Sequence, residues 1–171
     1  MEKASLPSET AASFGGFVLA HAAMIASTLS GGELICPFAV VKKGDRRQVF
    51  DFEADTQAEA VERGKASLVH LKDQVEAWAF AREGLWSGPD LPSKIDVLVV
   101  SSWAPDMDEP LVLLQAFSPA QTGNFRLLGQ LEITQDGQGV VSESMRCLIS
   151  AAQAGIADSN VPWSSWLVHD A

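Results

Sequence analysis

The stretch FGGFVLAHAAMIASTL, Phe14 to Leu29, runs for sixteen residues without a charge. A segment this apolar must leave water, which restricts it to a cleaved leader, a membrane span or a helix buried in a core. A leader needs a basic start and a small-residue cleavage site, but here Glu2 and Glu9 offset Lys3 and no break comes before Gly31-Gly32. A span needs about 20 strongly apolar residues, and this run is diluted by Gly15, Gly16, His21 and Ser27. The third solution has support in the spacing. Phe14, Phe17, Val18, His21, Ile25 and Leu29 recur at three and four residues, which predicts an α-helix with that stripe toward the core. Its other side is small, built from Gly16, Ala20, Ala23 and Ser27. Ser8 and Glu9 suit its start and Gly31 its stop.

Downstream, ELICPFAVVKK and RQVFDFE flank Gly44-Asp45 and predict a β-hairpin, with Pro37 placing the first strand at an edge or a bulge. Residues 55–86 open on a capping box, Thr56 with Glu59. Val61, Leu68, Leu71, Val75, Trp78 and Leu85 then follow at helical intervals. This predicts a helix of about 28 residues with Val61, Leu68, Leu71, Val75 and Trp78 toward a sheet, and a bend or close packing at Gly64. SGPDLP is a loop. KIDVLVVSSW, PLVLLQAFS and FRLLGQLEIT read as three strands joined by the short connectors APDMDE and PAQTGN, so they are expected to be antiparallel neighbours. After QDGQG, SESMRCLISAAQAG reads as a closing helix capped by Ser142 and stopped by Gly155. The two tryptophans of VPWSSWLVHDA argue that part of the tail docks.

The expected architecture is one α/β (α+β) domain over residues 1–171, a single antiparallel five-stranded sheet with helices in the order α-β-β-α-β-β-β-α. That order resembles the roadblock and profilin-like folds. The resemblance is topological and implies a binding or scaffolding module.

Charge narrows the partners. The net charge is −10, with 9 basic and 12 acidic side chains in residues 1–86 but 3 and 10 in residues 87–171. Nucleic acid needs a basic face that releases counterions, so it is not an expected partner. The one basic cluster, Lys42, Lys43, Arg46 and Arg47, brackets the Gly44-Asp45 turn and reads as a solvated hairpin tip. Two cysteines, Cys36 and Cys147, cannot make a disulfide framework, which points to a cytoplasmic protein with both thiols packed. No membrane partner is expected. A homodimer is expected, through the N-terminal helix or a sheet edge: the small face of the first helix, Gly16, Ala20, Ala23 and Ser27, allows close approach by another helix, the competing account being that the closing helix of the same chain covers it.

No chemistry assembles from the motifs. His21, His70 and His169 stand on separate elements, and the acidic PDMDEP lacks the glycine and distant glutamate of a calcium loop. Neither glycine pair belongs to a phosphate cradle, no serine lies in G-x-S-x-G, and Asp51 and Glu53 of DFEAD share a polar strand face. No catalytic residue, metal site or cofactor is assigned. Two functions stand: a non-catalytic interaction or scaffolding module with a protein partner, and a small-ligand-binding protein or enzyme with a pocket between sheet and helix, lined by His21, Trp78 and Trp103. An acidic immunity-type protein masking a basic toxin is a third.

Overall fold

The computed structural model describes residues 7–29, 34–71, 74–86, 95–119, 125–135, 138–139 and 142–167. In chain order it holds α1 (Pro7–Thr28), β1 (Phe38–Lys43), β2 (Arg46–Asp51), α2 (Gln57–Leu71), β3 (Ala77–Trp86), β4 (Ile95–Trp103), β5 (Leu111–Ser118), β6 (Arg126–Gln135), β7 (Gln138–Gly139), α3 (Ser142–Asp158) and α4 (Trp163–Trp166). The strands form one antiparallel sheet in the order β2-β1-β3-β4-β5-β6-β7. Gly31, the loop SGPDLP, the side chain of Ser142, His169, most of PAQTGN and residues 136–137 of QDGQG lie outside the described residues.

The sheet therefore has six strands of useful length, not five, with the two-residue β7 added at an edge. The extra strand comes from the expected 28-residue helix, which stops at Leu71. From Ala77 the chain alternates small and large: Ala77, Ala79 and Ala81 on one side, Trp78 and Phe80 on the other. Both sides are buried because α1 packs on one face of β3 and α2 on the other, while β1 and β4 pair with its two edges. A strand buried on both faces carries apolar residues at every position, so a helical stripe can be read into it. On α2 itself Leu68 is buried and Val61 and Leu71 pack partly against the core, whereas Val75 and Trp78 lie beyond the helix.

Helices cover both faces of the sheet. On one face, α1 approaches so closely that a Cβ on Gly15 would stand 3.0 Å from the Ser102 Cβ, and the Ser102 hydroxyl donates to the Ala11 carbonyl at 2.6 Å. Helix α3 packs on α1 in the antiparallel sense, Gly16 against the Ala152 carbonyl and Gly155 against that of Ser13. Both faces of α1 are therefore packed: of the expected stripe Phe14 and Val18 are buried and Phe17 and Leu29 lie partly against the core, and only His21 and Ile25 turn out to solvent. Ala11, Ala12, Gly15, Gly16, Ala20, Ala22, Ala23 and Ala26 are buried with Val18 and Leu19, while His21, Met24 and Ile25 are exposed. A helix wedged between a sheet and another helix needs small residues where the backbones come closest, and here His21, Met24 and Ile25 turn outward while Phe14, Val18 and Leu19 fill the core. Gly155 is likewise not a stop, since α3 runs on to Asp158. By length and composition α1 could cross a membrane, yet 61% of its most apolar window is buried inside this fold.

On the opposite face α2 bridges β2 to β3 across β1. Its Thr56 hydroxyl accepts from the Glu59 N–H at 3.1 Å, so the capping box forms in part. Its Gly64 sits on Phe80. At the far side, the pairing of β5 with β6 shifts between Leu114 and Ala116. The buried Gln115 amide donates there to the Leu128 carbonyl at 3.1 Å, and Gly129 takes φ +69. The tail docks: Trp166 meets Phe125 edge-on at 5.2 Å, and Leu167 bridges to Leu127.

Candidate functional site

The site grows from one cross-strand pair. In the β3–β4 ladder Trp78 lies opposite Trp103, on the face that carries α2. Their rings are near parallel, 16° apart with centroids at 6.3 Å. The Trp103 indole N–H donates to the Met107 carbonyl at 2.9 Å. That carbonyl is delivered by a tight turn in which Asp106 takes φ 74 and the Met107 N–H returns to Ala104. The ring is thus fixed by the very loop whose acidic residues stand at the rim.

Phe80 continues the indole floor and is met edge-on by Phe52 at 5.9 Å. Glycine at 64 lets α2 come down onto Phe80, since a Cβ there would lie 2.3 Å from the ring. One turn on, the helix leaves a cleft of about 380 Å³. Leu68 and the exposed Lys65 and Val69 form one lip, and the exposed Asp108 and Glu109 with Pro110 form the other. Ser101 lies in the floor beside Phe80. The floor is apolar and the rim charged, with a cation facing carboxylates. The Trp78 indole N–H is buried without a hydrogen-bond partner among the described residues. Such a group costs about 1–3 kcal/mol, which the burial of the large ring offsets.

Of the three residues expected to line a pocket, the structure brings Trp78 and Trp103 together and leaves His21 on the other side of the sheet. His21 is exposed on α1, edge-on to Phe17 at 4.6 Å, and Arg47 caps that Phe17 ring at 4.1 Å. Partial burial, then the Arg47 charge, push its pKa down. Of the expected interface residues, Gly16, Ala20 and Ala23 are buried within the chain, Gly16 under α3, and Ser27 is half-buried with its hydroxyl on the Met24 carbonyl. Cys36 and Cys147 are free and exposed, not packed. Burial, then the nearby Asp51 and Glu53, push the Cys36 thiol up, away from the thiolate. Sequence reasoning missed Lys65, Leu68, Phe80 and Ser101 as lining residues; the alternation of residues 77–81 was the available signal.

Two other features lie apart from this cleft. A larger hollow of about 620 Å³ separates β6 from α3 and α4, lined by Leu131, Met145, Ile149 and Trp163 among others. On the α1 face, Glu83 accepts from the Ile35 N–H at 3.1 Å, and Glu83 and Asp96 both carry pKa values raised chiefly by burial. Among the described residues no group of three or more His, Cys, Asp or Glu could hold a metal ion. No family model matches the chain, and neither a curated protein nor a solved structure matches it.

Proposed function

We propose that this chain is a non-catalytic cytoplasmic binding module whose cleft between α2 and the sheet takes a small, flat, apolar molecule. The observation that supports this reading is the stacked Trp78–Trp103 floor. Indoles offer broad flat faces, and an aromatic partner gains about 0.5–1.5 kcal/mol from ring geometry beyond its buried area. A volume near 380 Å³ sits at the low end of small-molecule sites, which span about 300–1,000 Å³, and fits one or two fused rings. Lys65 on one lip and Asp108 and Glu109 on the other would orient a polar substituent. Among the described residues the lining of the cleft is aromatic and aliphatic beneath a charged rim, which suits binding. The roadblock- and profilin-like resemblance, also a proposal, agrees with a binding role.

Calorimetric titration with 2-naphthol tests it. The wild type is expected to bind it, and Ser101→Phe, which places a ring in the cleft, is expected to weaken binding by about tenfold or more, or 1.4 kcal/mol, with an unchanged circular dichroism spectrum. Absence of binding, or equal binding by Ser101→Phe, would overturn the reading.

A further inference from the structure

We propose that β2 is the edge through which two copies of this chain join, antiparallel and about a two-fold axis at Val49, into one continuous sheet. The two edges of the sheet are treated differently. The outer edge of β6 is covered at one end by β7 and bridged at the other by Leu167. Among the described residues nothing pairs with the outer edge of β2, and Val49 in its middle is 60% exposed. An open edge strand is a template for another strand, which folds usually cover or block.

The charge pattern selects the occupant. β2 begins basic with Arg46 and Arg47 and ends acidic with Asp51, followed by Glu53 and Asp55. Within the chain its basic end meets only more cations across the ladder, Lys42 opposite Arg47 and Lys43 opposite Arg46, and like charges so placed repel. A strand positive at one end and negative at the other complements an antiparallel copy of itself and repels a parallel one.

Register follows from geometry. Residues directly opposite in an antiparallel pair point to the same face, and along one strand faces alternate. A strand paired with itself must therefore match residues an even number apart. Two such registers overlap by five residues within Arg46–Asp51. Centring on Gln48 sets Asp45 against the partner's Asp51. Centring on Val49 sets Arg47 against the partner's Asp51 twice, on one face, with the two Val49 side chains between them. The Arg47 guanidinium is already held over Phe17. Stacking uses its face and leaves its N–H edges for a carboxylate. The match is self-complementary, as a closed two-fold interface requires.

Sedimentation equilibrium at micromolar concentration should give twice 18.3 kDa. Arg47→Glu and Asp51→Lys are each expected to weaken the dimer by about tenfold or more, and the double variant to restore it, since only the double variant re-forms the pairs with signs exchanged. In a Cys36→Ser/Cys147→Ser background, Val49→Cys should cross-link to a covalent dimer under mild oxidation, because its two copies face each other on the axis. A monomer throughout, a dimer indifferent to both charge reversals, or a dimer that Val49→Cys does not cross-link would overturn the proposal. None of these residues lines the indole cleft, so the two proposals fail separately.

Discussion

Glu83 shows how one side chain couples this fold to pH. Its carboxyl is half-buried on the α1 face, and burial above all raises its pKa; the Ile35 N–H opposes the shift and Asp96 adds to it. The native state then binds a proton more tightly than the unfolded chain. The resulting stability is present below the ordinary glutamate value, about 4.3, and is lost as pH rises through the raised native value. Glu83→Gln keeps an oxygen for the Ile35 N–H and removes the titration. Urea midpoints measured from acid to neutral pH should therefore fall less steeply for Glu83→Gln than for the wild type; an unchanged slope would assign the dependence to Asp96, which is also raised by burial. At this scale local chemistry was legible. The Thr56–Glu59 cap needs only residues three apart, and it forms. The Trp78–Trp103 stack joins residues 25 positions apart through a strand that the sequence disguised as a helix, so the pair was nameable but its geometry was not.

Between elements, the contact of α1 with α3 is set by backbone proximity. A Cβ on Gly155 would fall on the Ser13 carbonyl and one on Gly16 on that of Ala152, so neither clash can be relieved by turning a side chain. Gly155→Ala should push the helices apart and cost at least about 2 kcal/mol, despite up to about 1 kcal/mol gained in helix propensity. Thermal or urea unfolding checks this, and a stabilised variant would mean that the helices do not meet there. The helix expected at Phe14–Leu29 is present and buries Phe14 and Val18 of its apolar stripe, but His21 and Ile25 of that stripe face out and the small side is buried as well. Hydrophobic spacing assumes that large residues seek the core. In α1 the sheet and α3 both demand closeness, so alanine and glycine win the interior and His21, Met24 and Ile25 are displaced outward. Similarly, the stretch Ala77–Trp86 satisfies a helical stripe and a two-sided strand alike. Only the need to join β1 to β4 decides between them.

For the whole molecule, the antiparallel α+β architecture was legible because the β-runs and their short connectors are local, whereas the count of strands depended on one ambiguous segment. The two proposed surfaces use different parts of the sheet: the cleft sits over β3 and β4 beneath α2, the dimer edge is β2. The central claim concerns the cleft, and the five tryptophans make it measurable in a single spectrum. Protein labelled with 5-fluorotryptophan should give one fluorine resonance per indole, assigned by Trp→Phe replacement. On titration with 2-naphthol the resonances of Trp78 and Trp103 are predicted to move together and saturate, while Trp163, in the hollow beside α3, and Trp166, against Phe125, stay in place. Movement of Trp163 with Trp78 and Trp103 unmoved would contradict the account and put the binding site in the other hollow.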